Sequence, residues 1–553
     1  MRKFLSLFLG WTFLMLTVTP ALAQTFPTAN YFQQFASLRE IPTQLPGPEG
    51  LRDYLVDGKL RLNLNEAIRL TLLNSTEVRM NQLEYESTRF AIQRAYQPFD
   101  PILNSNFGAS RQTVPTYSQL KSGMPTYSDL SHQFLVGYNQ TFQTGTQYNV
   151  NFSSSRDSSN SIFATFNPSI YSSLNFSFTQ PLLRNRGLFP NRAPIVIAQR
   201  NLKQSRSQFE ASVNLSIARA VDQYWAVVQA RESLKVLQKS LELAEVTYRQ
   251  NKRALELGAL PPLDIYRSES QVASRRVGVI QAEYDLKQSE DELRRTIGAD
   301  LDPYFRVIDI ELTEPVNAVG ELLTVETQAA LDQALGHRPE LEALRQQLAN
   351  DDMSIQLAHH RLQPELNLTG FYSSNGLGGN QIDTTTVPPT VIAQGGFGDS
   401  LSQIGSFDFP SYGFNVQLNL PVKNRAVEAD LGNALVSKRR SLYVMRQLEQ
   451  EIGLEVRRAA HLLEQAKLSM AAARIARDLS QKNLEAEQRK YELGAQPIFF
   501  TLEAQTQLAQ DEQNLVRSEI GYQRSIAALD RATASLLDRH RIQIAEPVRE
   551  SLR

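Results

Sequence analysis

Apolar positions along the chain change their period twice, and the whole pattern then occurs a second time. From about Asn65 to Tyr96 they recur every three or four residues (Ala67, Leu70, Leu73, Val78, Leu83, Phe90), which predicts a helix. It stops at Gln97-Pro98-Phe99-Asp100-Pro101, where two prolines forbid further helix. Beyond them the period is two. Leu103, Ser105, Phe107 and Ala109 share one face, as do Phe134, Val136, Tyr138, Gln140 and Phe142, then Tyr148, Val150 and Phe152, then Leu174, Phe176 and Phe178. Gln143-Thr144-Gly145-Thr146 joins the middle two runs as a hairpin turn. The tracts 112–132 and 154–170, rich in Ser, Thr, Asn and Tyr, read as loops. Such strands fit a transmembrane β-barrel with an outward apolar face, or a soluble antiparallel sheet with one wet face.

After Gln180-Pro181 the helical spacing returns. Val213, Ile217, Ala220, Tyr224, Val227, Leu234, Leu237, Leu241, Ala244 and Tyr248 advance by threes and fours, apart from Arg231. That narrow stripe is the seam of a coiled coil. One helix over 195–257 is roughly 90 Å long, wider than a compact domain, so it must project. It ends at Glu256-Leu257-Gly258-Ala259-Leu260-Pro261, a left-handed glycine cap followed by a proline that cannot prolong the helix. A helix of about half that length follows, Leu263 to Ile297, closed by Gly298. Residues 301–326 form a less regular link containing Pro303 and Pro315.

Then the plan starts again. Leu331 to Glu340 resembles Ile68 to Glu77, and Pro364 ends the new helix 263 residues after Pro101. One strand (Leu366, Leu368, Gly370, Tyr372), a Gly/Thr/Pro-rich loop over 374–410 and a second strand (Phe414, Val416, Leu418, Leu420) lead into a helix of about 70 residues. It ends at Glu492-Leu493-Gly494-Ala495-Gln496-Pro497, 236 residues after the first tip, and a shorter helix runs to about Leu537. The chain is a tandem internal duplication. Its parts are a signal peptide (1–23), an irregular Pro-rich extension (24–60), a first repeat (61–300), the link (301–326), a second repeat (327–540) and a tail (541–553).

The signal peptide rests on Arg2-Lys3, the apolar run Phe4 to Val18 and the small-residue exit Ala21-Leu22-Ala23. A single membrane anchor is the alternative, but the run is short and no later stretch approaches the ~20 apolar residues of a spanning helix. Export is therefore expected. With 57 basic and 58 acidic residues there is no bulk attraction to nucleic acid. The chain has no Cys, which excludes disulfides, thiolate metal sites, cysteine nucleophiles and a lipidated N-terminal Cys.

Half helix, strands, long helix, glycine tip and half helix, all duplicated, resemble the TolC-type outer-membrane efflux protein family. The resemblance covers about residues 61 to 540. Its carriers are the helix starts with His337-Arg338-Pro339-Glu340-Leu341, the strand-to-helix exits Gln180-Pro181-Leu182-Leu183 and Leu420-Pro421-Val422-Lys423, and the tips Leu255 to Gly258 and Tyr491 to Gly494. It implies a mixed, mainly α fold, in which a homotrimer builds a periplasmic α-barrel of long helical hairpins joined to one shared transmembrane antiparallel β-barrel in the outer membrane lipid. It implies an exit duct of a tripartite efflux or type I secretion system, met at its tips by a periplasmic adaptor and fed by an inner-membrane transporter of RND or ABC type. No enzyme activity, cofactor or metal is implied. The family plan has two strands per repeat, whereas repeat one shows four runs. Either six strands per protomer enter the barrel, or the 134–153 hairpin is an addition outside it. A secreted coiled-coil structural or adhesion protein with a soluble sheet is the rival reading.

The resemblance makes the tip residues Gly258, Pro261, Asp264, Gly494, Pro497, Phe499, Phe500 and Glu503 the candidates for an entrance gate or adaptor contact. Asp264 and Glu503 are acids that either ring an aperture or complement a helix N-terminus. Repeat two has Phe500 where repeat one has Asp264, so the entrance is expected to alternate two unlike hairpins. Phe499 and Phe500 are adaptor contacts, an apolar constriction or hairpin packing. His359-His360 point about 100° apart on a helix and lack a third ligand. Tyr224 and Trp225 are expected in helix seams, and Lys438-Arg439-Arg440 on a solvated face. No P-loop, HExxH motif or nucleophile elbow is present.

Overall fold

The computed structural model describes residues 47–116, 125–257, 262–314, 323–386 and 390–542. The chain forms two compact units. One takes residues up to 86, 206–342 and from 447 onward; the other takes 87–205 and 343–446.

In the first unit, β1 (Leu55–Val56) and β2 (Lys59–Leu62) form a hairpin, and β7 (Ile310–Leu312) pairs parallel to β2. The extension read as irregular through residue 60 thus ends in structure, because Leu60 and Leu62 alternate into the core. These strands cover a core that includes Val213, Ile217, Tyr224, Trp225, Leu293 and Ile297. Tyr224 is fully buried; its hydroxyl accepts from the Glu314 N–H (3.2 Å) and donates to the Leu62 carbonyl (3.4 Å). Burial pushes its phenol up to about 12. In a second core, around Leu341, Ile452 and Val456, the hydroxyl of Tyr522 accepts from the Leu323 N–H at 2.9 Å. Arg231, the exception in the apolar stripe, donates to the Ile310 carbonyl (2.5 Å) and faces Glu290 (3.6 Å). The stripe breaks where its helix meets β7.

The first half helix is two helices, α1 (Leu64–Asn74) and α2 (Thr76–Tyr96), where the sequence suggested one. α1 opens with a reciprocal capping box between Asn63 and Glu66. The long helix α3 (Leu188–Glu256) starts earlier than expected and is followed by α4 (Pro262–Ile297). The second repeat is split like the first, into α5 (Thr327–His337) and α6 (Pro339–Arg361), with the break 263 residues further on. Ser75 (φ −63°, ψ 120°) and Arg338 (φ −67°, ψ 124°) share one extended conformation. At Arg338 the following proline excludes the helical region. At Ser75 the side-chain oxygen accepts from the Val78 N–H at 3.4 Å, as an N-cap does.

The two repeats also differ in an ion cluster beside these breaks. Arg219 pairs with Glu77 at an exposed site. At the position 236 residues beyond Arg219, Glu455 binds both Arg338 and Arg531, and the Arg338 side chain is only 11% exposed. Glu455→Ala removes the carboxylate that Arg338 and Arg531 share and leaves Arg338, among the described residues, only Glu340 at 3.0 Å, and an expected loss of about 2 kcal/mol follows. Glu77→Ala is expected to cost less than about 0.5 kcal/mol, because its pair lies in water. Urea unfolding midpoints of the purified variants in detergent check both. Equal losses at the two sites would show that burial does not set the difference.

The second unit is built on one antiparallel sheet: β3 (Ile102–Pro115), β4 (Thr126–Thr141), β5 (Gln147–Ser159), β6 (Phe166–Pro181), β8 (Glu365–Asp383) and β10 (Phe409–Asn419). The hydrogen-bonded order is β10-β8-β6-β5-β4-β3, and a short β9 (Thr390–Ala393) pairs with the far end of β8. Much of the tracts 112–132 and 154–170 is therefore strand rather than loop, and β8 runs well into the presumed loop 374–410. Ser, Thr and Asn carry no apolar alternation, so their strands are silent in a hydrophobic pattern. They are held by cross-strand bonds such as Ser153–Ser173 (2.8 Å) and Ser154–Ser172 (2.9 Å). The 134–153 hairpin is not outside the sheet: β4 pairs β3 and β5 pairs β6 along nearly their whole lengths.

The register sorts the side chains onto two faces. One carries Leu103 and Phe107, Phe134, Val136 and Tyr138, Tyr148, Val150 and Phe152, Leu174, Phe176 and Phe178, Leu366, Leu368 and Tyr372, and Tyr412, Phe414, Val416 and Leu418. The other carries Asn104 and Asn106, Asn139, Asn149 and Asn151, Asn175 and Ser177, Asn367 and Thr369, and Asn415 and Gln417. Asn149 donates to Asn139 (2.5 Å) and the Thr179 and Thr369 hydroxyls meet at 3.0 Å, so neutral side chains lace the polar face, with the Asp157 and Glu365 carboxylates accepting from Ser155 (3.0 Å) and Asn367 (2.9 Å).

A helix that the hydrophobic pattern does not predict, α7 (Phe397–Ser406), follows β9. It lies on the apolar face, beyond the aromatic rows. The Ser172 and Ser400 hydroxyls meet at 3.0 Å, and Ser374 donates to the Ile404 carbonyl at 2.9 Å. A Cβ at Gly376 or Gly378 would collide with the backbone carbonyl of Ser400 or Gly396, so glycine there lets helix and strand touch. After β10 the chain continues into the long helix α8 (Arg425–Glu492), α9 (Ile498–Ala532) and a final turn α10 (Leu536–Arg539).

Candidate functional site at the helical tips

In the first unit the end of α3 and the start of α4 lie against the end of α8. Gly494 has φ +70°, a conformation that costs a residue with a Cβ but not glycine. Its N–H donates to the Tyr491 carbonyl (2.9 Å) and that of Ala495 to the Lys490 carbonyl (2.9 Å), the paired bonds of a Schellman cap. Gln496 reaches back to the Glu487 carboxylate, which also accepts from Lys490 at 2.6 Å. These donors, Lys490 first, hold the Glu487 carboxyl below its usual range. Pro497 is the N-cap of α9, with φ −67°. Gly258 and Pro261 of the first tip lie outside the described residues, but α3 and α4 end and begin beside them as the spacing implied.

Between the hairpins runs a buried polar chain that sequence reasoning did not single out. Tyr491 donates to Asn251 Oδ1 (3.0 Å), Asn251 Nδ2 donates to Ser268 Oγ (2.6 Å), and Ser268 donates to the Asp264 carbonyl (3.2 Å). Asn251 and Ser268 are each 1% exposed. One layer deeper, Gln505 donates to Thr247 (2.9 Å), next to an apolar contact of Leu484, Ala504, Leu508 and Leu243. The signal was present in the sequence. Asn251 continues the stripe of Leu241, Ala244 and Tyr248 by a further step of three, so it is a polar residue at a seam position, the device that fixes helix register.

The candidates divide by environment. Asp264, half-buried in the first turn of α4, lies close enough to Tyr491 for its charge to add to burial in raising that phenol's pKa. Glu503 is exposed on α9 and does not join this chain. Phe499 and Phe500 are each nearly half exposed, their rings edge to face at 5.5 Å, and the Arg267 guanidinium lies 5.8 Å from the Phe499 ring centre. Ile498, just before them, is the residue that packs inward. Leu257 and Leu493, beside the two turn glycines, are more than four-fifths exposed. The tips thus combine a polar, hydrogen-bonded interior with an apolar rim open to a partner.

Away from the tips, the His360 ring meets Phe189 edge to face at 6.4 Å, and Lys438 pairs with Asp352 at 2.6 Å. No helix among the described residues is long and apolar enough to cross a membrane.

A family model described as outer membrane efflux protein matches residues 67–299 and 330–535. The CmeC outer membrane channel of Campylobacter jejuni is similar over 93% of this chain and 94% of its own, with 16% identity and a TM-score of 0.61. The open state of the Neisseria gonorrhoeae MtrE outer membrane channel is similar over 86% and 89%, with 18% identity and a TM-score of 0.59. A structure of CusC, solved in a study of folding and transmembrane channel formation, is similar over 89% and 94%, with 16% identity and a TM-score of 0.60. At these identities the likeness establishes a common fold. No curated protein sequence matches the chain significantly.

Proposed function

The chain belongs to the outer membrane efflux protein family, and from that premise we propose that it is the exit duct of a tripartite efflux or type I secretion system. Its place is the outer membrane, with its helical hairpins on the periplasmic side. The observation that carries the reading is the two-faced sheet, apolar across every strand on one side and Asn/Ser/Thr-rich on the other. A lipid-facing band and a watery lumen need that division. Three copies assemble, because open sheet edges in a bilayer are satisfied only by closure. Apolar stripes left exposed on α4 (Val277, Ile280, Tyr284) and α8 (Leu468, Ile475, Leu479) support the same packing of copies along the helices. Conduction is passive, and the cargo is chosen by an inner-membrane pump of RND or ABC type. A periplasmic adaptor meets the apolar rim at Leu493, Phe499 and Phe500.

Purified protein in planar lipid bilayers is expected to give discrete conductance steps without any energy source; a preparation that inserts as trimers and never conducts overturns the duct. Asp264 and Glu503 constrict the entrance in this reading. The double variant Asp264→Ala, Glu503→Ala is expected to raise single-channel conductance, and an unchanged value removes both from the gate. Cross-linking in cells, followed by identification of the pump held with the adaptor, separates efflux from secretion.

A further inference from the structure

The two repeats contribute unequally to the sheet. Repeat two connects its helices through β8 and β10, while repeat one uses β3, β4, β5 and β6. The additional hairpin stands in the middle of the sheet, between β3 and β6. Its side chains continue the pattern of its neighbours: Phe152 pairs with Leu174, Val150 with Phe176 and Tyr148 with Phe178. On the reverse face Asn149 and Asn151 stand beside Ser177 and Asn175. A hairpin outside the membrane has no reason to keep an apolar band in register with a lipid-facing strand.

The number of strands also matters for closure. Six antiparallel strands in series leave β3 and β10 running in opposite directions at the two edges. The β3 edge of one copy therefore pairs antiparallel with the β10 edge of the next, keeping the apolar face outward all round. We propose, building on the trimeric duct reading, that the closed barrel has eighteen strands, six from each of three copies. The occupant of each open edge is thus another copy of this chain. Barrel diameter grows roughly linearly with strand number, so the exit is about 1.5 times as wide as twelve strands would make it. α7, the helix packed on the sheet, lies on the apolar side and does not fill this lumen.

The chain has no native Cys, so single nitroxide labels report one position each. Labels at Val150→Cys and Asn151→Cys are compared with Phe176→Cys and Asn175→Cys in reconstituted trimers, using collision with oxygen, enriched in lipid, and with a water-soluble nickel chelate. Val150 and Phe176 are both expected to favour oxygen, and Asn151 and Asn175 both to favour nickel. If Phe176 favours oxygen while Val150 favours nickel, the hairpin stands outside the bilayer; the eighteen-strand barrel is overturned and the duct survives. If Phe176 also favours nickel, the membrane reading itself fails. Because each label tests one site of an assembled trimer, a variant that does not assemble is replaced by Phe152→Cys on the same face.

Discussion

Phe176→Arg is expected to abolish assembly in the outer membrane, while Asn175→Arg, one residue away, leaves it nearly intact. Phe176 sits in the middle row of the apolar face, paired with Val150 and Tyr372; Asn175 points to the polar face, paired with Asn151 and Ser373. An arginine on the lipid face near the bilayer midplane costs ~2–4 kcal/mol, and one in each of three copies makes that roughly 6–12 kcal/mol per assembly. A lumen-facing arginine remains hydrated. The amount of trimer in the membrane fraction, resolved on a gel without heating, distinguishes the two. Normal trimer from Phe176→Arg together with loss from Asn175→Arg would mean that the faces are inverted.

The second large effect is expected at the tip. Inserting three polar residues after Gly494 disrupts the Schellman bond from Ala495 and the return of Gln496 to Glu487. It also displaces Phe499 and Phe500 from the rim. Export in cells is expected to fall to the level of a strain lacking the protein, with trimers still formed. The apolar contacts deeper in the hairpin (Leu484, Ala504, Leu508) lie two or more helical turns from the insertion and persist. Trimer yield and export are measured on the same cells. Loss of the trimer itself would assign the tip a structural role rather than adaptor coupling.

What the sequence disclosed follows from which interactions leave a periodic trace. The long helices bury one stripe, so their extents and the Gly-Pro reversal between them were legible, as was the duplication. The aromatic rows of the sheet were legible for the same reason. The outer parts of β4, β5, β6 and β8 were not, because their Ser, Thr and Asn side chains bond across strands and bury little apolar surface. The helix breaks at Ser75 and Arg338 were hidden because apolar spacing continues across them; the proline at 339 was the available clue. α7 was masked by its Gly- and Ser-rich composition, although the Asp399 side chain accepts from the Gly396 N–H at 2.6 Å at its start. At the tips, glycine and proline positions were readable from backbone rules. Of the chain from Tyr491 through Asn251 to Ser268, the polar seam position of Asn251 was readable, but its bond to Tyr491 was not, since the two lie 240 residues apart.

The two tyrosines that hold the crossover between repeats carry a further meaning. Tyr224, in repeat one, grips the backbone at Glu314, and Tyr522, in repeat two, grips it at Leu323. The half-chains are thereby a tethered pair, and a short tether raises the effective concentration of one half about the other to the millimolar range. Halves held in this way do not need identical, self-matching surfaces to find each other. Each is free to diverge, as it has where Asp264 answers to Phe500 and Arg267 to Glu503. A ring of separate, identical half-chains would have to repeat a single tip chemistry at every station.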